Sequence, residues 1–152
     1  MKQISNTSAN SGNGIIKITC NTAVQFYTRE RIYTEGQVGT KDLWEKFMSY
    51  VGDSKIETFW CDWIGSFGSQ QVQAMSMGVY DLCTVRMDYH PELYELLRRK
   101  QVLVIKNAAA DAVDYGVPVK NHPDVYTLWS AVDDIRNMHK IMEFKVRRWE
   151  GK

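Results

Sequence analysis

The chain has 152 residues, 44% of them hydrophobic, which is the size and composition of one compact domain. Its formal net charge of +1 argues against a protein that coats nucleic acid, because such proteins carry a strong basic excess. The sequence has neither a secretory leader nor an apolar run of the ~20 residues that a membrane span needs. We therefore expect a soluble protein without membrane contact.

The N-terminal residues 5–14 are Ser, Asn, Thr, Gly and one Ala, with almost no apolar surface. Such a stretch buries too little surface to offset the entropy lost when it is ordered. We predict a flexible arm over residues 1–14 and a single β-barrel domain over residues 15–152. Residues 15–20 and 23–27 have the composition of short strands.

The next segment has the spacing of a helix. Its large apolar residues recur at helical intervals: Leu43, Trp44, Phe47, Tyr50 and Val51. Asp42 is suited to cap the first turn and Gly52 to end the last one. The pattern predicts a helix over residues 42–51.

Two longer segments, residues 55–64 and 80–89, alternate between apolar and other side chains as half-buried strands do. The predicted core faces are Phe59, Cys61 and Trp63 in the first strand, and Cys83, Val85, Met87 and Tyr89 in the second. Trp60 lies on the other face of the first strand. Either a flanking helix or loop covers it, or it contacts a neighbouring subunit, because tryptophan is enriched at interface hot spots.

The cysteines, Cys20, Cys61 and Cys83, have no Cys-x-x-Cys spacing. This pattern predicts neither a disulfide framework nor a zinc site. We expect Cys61 and Cys83 to be buried as small hydrophobic residues, in a reducing compartment.

The second strand ends at His90-Pro91, because proline cannot donate to a strand ladder. We predict a short helix over residues 92–99 and an apolar strand over residues 101–105. Residues 107–124 form a connection longer than most loops of compact domains, which suggests a functional role.

Two further segments, residues 126–135 and 140–150, close the chain, and the last of them alternates as a strand. Its predicted inward face is Met142, Phe144 and Val146. Five to seven strands at hairpin-like spacing, without a βαβ rhythm, predict a mainly β protein. The expected fold is a small antiparallel β-barrel or sandwich with short helical insertions.

No arrangement of titratable residues resembles a catalytic site. His90, His122 and His139 lie on predicted turns, without a second ligand type at metal-binding spacing. The near neighbours His90 with Asp88, and His122 with Asp124, are typical of solvated turns. We therefore predict a protein that is not an enzyme and that needs neither a metal nor a cofactor.

Two basic groups remain, residues 98–100 and the end of the last strand. Neighbouring glutamates dilute both groups, which favours solvated or intersubunit faces over phosphate contacts. We predict intersubunit contacts at Arg98, Arg99, Arg147 and Arg148, together with Trp60.

The order of these elements resembles the head-completion, or stopper, proteins of long-tailed bacteriophages. The resemblance covers residues 41–151 and is carried by four stretches: FWCDWI at 59–64, SQQVQAMSMG at 69–78, CTVRMDYHPEL at 83–93 and IMEFKVRRWEG at 141–151. It implies a structural virion protein at the head–tail interface, assembled in the cytoplasm of the host bacterium. The implied assembly is a dodecameric ring below the portal–adaptor complex. Such a ring retains packaged DNA, contacts it non-specifically, and offers an attachment surface to the tail tube or tail-completion protein.

In stopper proteins the connection between the second and third barrel strands projects toward the ring axis and helps to close the DNA channel. The corresponding connection here is residues 66–77, bracketed by Gly65 and Gly78 as hinges. The resemblance implies that it lines or gates the channel through Ser66, Ser69, Gln70, Gln71, Gln73, Met75 and Met77. Uncharged glutamines neither bind DNA tightly nor repel it, and methionines repack readily. Alternatively, Val72 and Met75 pin a short helix to the barrel.

Two other functions stay open. A tail-completion protein of the same neck is mixed α/β and occupies a neighbouring position. A small β-barrel that binds nucleic acid or peptide would be a monomer with an exposed aromatic groove and a salt-dependent affinity.

Overall fold

The structure is a computed structural model that describes residues 8–10, 15–33, 40–65, 81–99 and 101–150. In chain order its strands are β1 (Ser8–Asn10), β2 (Ile15–Lys17), β3 (Thr22–Tyr33), β4 (Thr40–Lys46), β5 (Ser49–Val51), β6 (Ser54–Ile56), β7 (Phe59–Gly65), β8 (Cys83–Asp88), β9 (Val102–Lys106), β10 (Val113–Asp114), β11 (Val117–Pro118), β12 (Val125–Leu128), β13 (Asp133–Asp134) and β14 (Ile141–Arg148). A helix, α1 (Pro91–Arg99), lies between β8 and β9, and a 3-10 turn covers Ile135–Asn137. The helix is too short to cross a membrane.

Six antiparallel strands close into a barrel in the order β3, β7, β8, β14, β12 and β9, with β9 pairing back onto β3. The prediction of a mainly β, antiparallel fold is confirmed, and of the two predicted architectures the chain adopts the barrel. Closure satisfies both hydrogen-bonding edges of each barrel strand. The decisive pairing is β12 with β14, which joins the two ends of the sheet.

The interior of the barrel is filled by alternate residues of each strand, as the two-residue period of a strand requires. The predicted inward faces of β7, β8 and β14 are confirmed, although Trp63 and Tyr89 are only partly buried. Aromatic rings meet at the centre, where Phe26 lies 5.6 Å from Phe59 and 6.2 Å from Phe144 between ring centroids.

The two ends of the barrel differ. At one end α1 joins β8 to β9, and its residues Leu93 and Leu97 are buried in the core of the barrel. We call this the helix end. At the other end β7 stops at Gly65 and β8 begins at Cys83, and these two residues pair directly. We call this the loop end.

The predicted helix over residues 42–51 is wrong. The chain there forms β4 and β5, and β4 pairs with β3 over seven residue pairs from Tyr27–Lys46 to Tyr33–Thr40. Tertiary pairing overrides the helical spacing because it buries Trp44 against Leu103 and Ile105. Asp42 therefore lies in a strand and caps no helix, and Gly52, at φ 62°, turns the β5–β6 hairpin.

Ser8–Asn10, within the predicted flexible arm, forms a strand that pairs with Ile15–Lys17. A hairpin satisfies its backbone groups locally and does not need the apolar side chains that this stretch lacks. The remaining residues of the arm lie outside the described part of the chain, so the flexibility of the arm as a whole stays a prediction.

The long connection over residues 107–124 contains the hairpin β10–β11. Tyr115 and Gly116, both at positive φ, form its two-residue turn. Gly116 packs against β4, with its carbonyl accepting the Trp44 N–H at 2.8 Å. A Cβ at Gly116 would lie 3.3 Å from the Leu43 side chain, so this close approach favours glycine.

Candidate functional site

The predicted gating segment leaves the barrel, and re-enters it, at the loop end. Gly65 is described there as the last residue of β7, and Asp81 and Leu82 lead into β8. The other predicted gating and hinge residues, Ser66, Ser69, Gln70, Gln71, Gln73, Met75, Met77 and Gly78, lie outside the described residues. What the structure establishes is where their segment leaves the barrel and where it returns.

Side chains from four strands, β7, β9, β12 and β14, meet at the loop end. The Trp63 and Tyr126 rings pack edge to face with centroids 4.8 Å apart. The Lys106 ammonium lies 5.2 Å from the Trp63 ring centroid, which is cation–π distance. Arg148 pairs with Asp81 at 3.5 Å, linking the last barrel strand to the point where the segment re-enters β8. The rim is therefore a mixed aromatic and charged surface.

The Cys83 thiol and the Tyr126 phenol at this rim are held in their neutral forms. Burial raises the pKa of the Cys83 thiol, and its side-chain interaction with Trp63 only partly offsets this. Burial, with a smaller contribution from Cys83, raises the pKa of Tyr126 to about 12. A protonated thiol and a protonated phenol are poor nucleophiles, so this arrangement is suited to packing.

Tyr126 makes a testable contribution to alkaline stability. Its pKa is higher in the folded state, so its contribution is complete below the usual value of 10.0 and is lost as pH rises through about 12. We expect the wild type to lose about 2 kcal/mol of unfolding free energy over this range relative to Tyr126→Phe, which keeps the ring contact with Trp63. Urea unfolding of both proteins from pH 8 upward measures the difference. Parallel curves would show that the phenol is not desolvated.

Each of the three histidines takes part in a hydrogen bond that joins neighbouring parts of the chain. His90 accepts the Leu93 N–H at 3.3 Å through Nδ1, capping α1. His122 accepts the Asp124 N–H at 3.1 Å, and its Nε2 lies 3.0 Å from an Asp111 carboxylate oxygen. The sequence neighbour Asp124 therefore contributes its backbone N–H, and a more distant carboxylate is the side-chain partner.

His139 is the third, and it contacts a buried carboxylate. Its Nδ1 lies 2.6 Å from Asp134, which also accepts the His139 backbone N–H at 3.0 Å. Both contacts close the turn before β14. Among the described residues no group of three or more His, Cys, Asp or Glu side chains could hold a metal ion.

The predicted burial of Cys61 and Cys83 is confirmed. Cys61 and Cys83 are free thiols at 0% and 8% exposure, and Cys20 is also buried. Burial raises the pKa of the Cys61 thiol far above its usual range.

The predicted intersubunit residues have partners within the chain. Arg98 and Arg99 pair with Glu95 at 3.3 and 3.1 Å on the exposed side of α1. Trp60 packs on the outside of the barrel against a cluster of Ile18, Cys20, Ile135 and Ile141. Flanking segments therefore cover part of Trp60, in line with the first of its two interpretations. Contact with a neighbouring subunit stays a prediction for all of these residues.

A groove of about 260 Å³ lies on the outer wall of the barrel beside β9, β12 and β14. Thr127, Arg147 and Trp149 are among the residues that line it. The Arg147 guanidinium lies 5.7 Å from the ring centroid of Trp129, a side chain that is 42% exposed. The lining of the groove thus combines a cation, Arg147, with an indole, Trp149.

Sequence reasoning missed Lys106, Tyr126 and Trp129. The two-residue period after Val102 and Val104 could have placed Lys106 on the inner face, but the register that brings it to Trp63 depends on pairing across the barrel. The chain matches no protein-family model and no curated protein. Proposals about its function therefore depend on this geometry and on the resemblance of its sequence pattern.

Proposed function

We propose that this protein is a structural, non-enzymatic component of the phage neck. It forms a ring below the portal–adaptor complex, and the family resemblance implies twelve copies in this ring. The ring retains the packaged DNA and provides the surface to which the tail attaches. One observation supports this best: β7 and β8 pair directly as far as Gly65 and Cys83, yet residues 66–82 separate them. Adjacent antiparallel strands need a loop of only two to five residues. The barrel therefore does not need this long connection for closure.

The composition of the connection suits contact with DNA in a channel. Residues 66–80 contain three glutamines, two methionines and no charged side chain. Uncharged amides meet water and phosphate without holding DNA tightly, and methionines repack between alternative neighbours. The rim beside the connection adds Lys106 and Arg148, but Trp63 and Asp81 engage both cations, which limits strong phosphate binding.

The test replaces residues 70–77 in the assembled phage. One variant carries a short Gly-Ser linker, and a matched variant carries a Gly-Ser segment of the original eight residues. Both proteins should fold, because the β7–β8 ladder starts from Gly65 and Cys83 and does not include the replaced residues. Particles with the short linker should lose packaged DNA, as measured by nuclease sensitivity of the genome. If particles with the matched variant retain their DNA, the length of the segment is sufficient. If they lose it, the Gln and Met side chains are required.

Three results would change this proposal. Unfolding of the short-linker protein would mean that the segment belongs to the core. Full particles that infect normally would exclude the gating role. Particles that keep their DNA but lack tails would favour the tail-completion function.

The groove supports a second candidate, a barrel that binds nucleic acid or peptide. The observation in its favour is that Arg147 and Trp149 line the groove, with the exposed Trp129 beside Arg147. This function predicts binding of a fluorescent single-stranded oligonucleotide that weakens steeply with salt and is reduced by Arg147→Ala. Absence of binding at low salt would exclude the nucleic-acid form of this candidate.

A further inference from the structure

Exposed apolar side chains concentrate on two hairpins. Among the described residues, six of the seven large hydrophobic side chains that are exposed lie on or next to β5–β6 and β10–β11: Met48, Tyr50, Val51, Tyr115, Val117 and Val119. The strands of neither hairpin belong to the closed barrel. One hairpin lies between β4 and β7, and the other between β9 and β12. Apolar side chains gathered in this way mark an interaction surface.

Both hairpins are built to hold their side chains in place. The β5–β6 hairpin has Gly52 at φ 62° in its turn, and Ser49 at its base is 2% exposed. The β10–β11 hairpin is fixed by the Trp44–Gly116 hydrogen bond and by the buried Pro118. Tyr115 at its tip is 95% exposed. Preorganised hairpins lose little conformational entropy when they bind.

One cross-strand pair on each hairpin combines an apolar side chain with a charge, and the two charges are opposite in sign. On β5–β6 the exposed Tyr50 pairs across the strands with Lys55, which is also exposed. On β10–β11 the exposed Val117 pairs with Asp114, again exposed. On each hairpin a charged side chain therefore lies across the ladder from an exposed apolar one, and these two charges, Lys55 and Asp114, have opposite signs. Asp53 adds a negative charge in the β5–β6 turn. Complementary charges beside apolar contacts set the register of an interface.

We propose that the β10–β11 hairpin of one copy docks on the β5–β6 hairpin of a second copy. Tyr115 and Val117 pack against the partner's apolar hairpin, and Asp114 pairs with Lys55 of the partner subunit. Because the two hairpins in this contact are different, each copy at the end of a row still has one unpaired hairpin. Further copies can therefore add by the same contact until a ring closes. This inference deepens the proposed function, because it names the contact that would build the ring.

Engineered cysteines test the contact directly, since the native Cys20, Cys61 and Cys83 are buried. The variants are Lys55→Cys and Asp114→Cys, oxidised singly, as a mixture, and combined in one chain. The mixture should yield a cross-linked dimer, and each single variant alone should stay largely monomeric. The combined variant should yield a ladder of species larger than a dimer. Adding Tyr115→Ser should reduce the cross-linked fraction at least several-fold.

A control pair places one cysteine at Glu92, exposed on α1, and the other at position 114. Cross-linking of the test mixture no better than this control would overturn the proposal. Efficient linkage of Lys55→Cys to itself would also overturn it, because like patches would then meet. A combined variant that stops at a doubly linked dimer would overturn the head-to-tail arrangement. The assay needs neither portal nor DNA, so its failure is distinguishable from failure of the neck function, which the particle assay measures.

Discussion

Replacing Phe26 with alanine should cost about 3 to 5 kcal/mol of unfolding free energy, a large part of the about 5 to 15 kcal/mol typical of a domain. Phe26 is 0% exposed and packs edge to face against Phe59 and Phe144. Its strand pairs with β9 and with β4 on either side, so the backbone cannot collapse into the cavity. Truncation therefore removes buried apolar area and leaves a void.

Urea unfolding followed by circular dichroism measures this loss, and Phe26→Leu should show an intermediate cost. Tyr115→Ala is the matched control, because that ring is 95% exposed and its removal should change the stability of the monomer by less than about 0.5 kcal/mol. A loss below about 1 kcal/mol for Phe26→Ala would contradict a close-packed barrel interior.

Replacing Asp62 with alanine should cost about 2 kcal/mol and detach the segment before β3. The Asp62 carboxylate accepts the Cys20 N–H at 2.8 Å, the Thr19 N–H at 3.2 Å and the Thr19 hydroxyl at 3.2 Å. These bonds hold Ile18 and Cys20 in the cluster that covers Trp60. Without the carboxylate the segment loses its anchor, and the outer face of β7 becomes exposed to water.

Hydrogen exchange should show the detachment as faster exchange of the Thr19 and Cys20 amides, while the amides of β8 and β14 keep their protection. Thr19→Ala should have a smaller effect, because it removes the hydroxyl bond and leaves the backbone bonds. Asp53→Ala, in the exposed β5–β6 turn, is the control for loss of an aspartate. Unchanged exchange at Thr19 and Cys20 in Asp62→Ala would mean that apolar packing alone holds the segment.

The predicted helix over residues 42–51 shows how tertiary pairing overrides a local pattern. Leu43, Trp44 and Phe47 fit one helical face, but the same residues fit a strand whose two sides pack against different neighbours. In the structure Trp44 packs outside the barrel on Leu103, and Phe47 stacks on Phe59 with ring centroids 6.0 Å apart. Only the presence of β3 beside this segment distinguishes the two possibilities.

The sequence by itself determined the features that depend on short-range periodicity and on single-residue chemistry. Alternation of side chains predicted the inward faces of β7, β8 and β14, and His90-Pro91 predicted the end of β8. The burial of Cys61 and Cys83 followed from the same alternation. These features depend on residues within a few positions of each other.

Only the tertiary structure decided the features that join distant parts of the chain. Closure of the barrel depends on the pairing of β12 with β14, and the rim depends on Lys106 reaching Trp63 and on Arg148 reaching Asp81. The two apolar hairpins likewise became visible only once the barrel had buried the other large side chains. The physical reason is that a local pattern encodes only which face of one strand is apolar. Which strands pair, and in which register, is set by contacts between segments far apart in sequence.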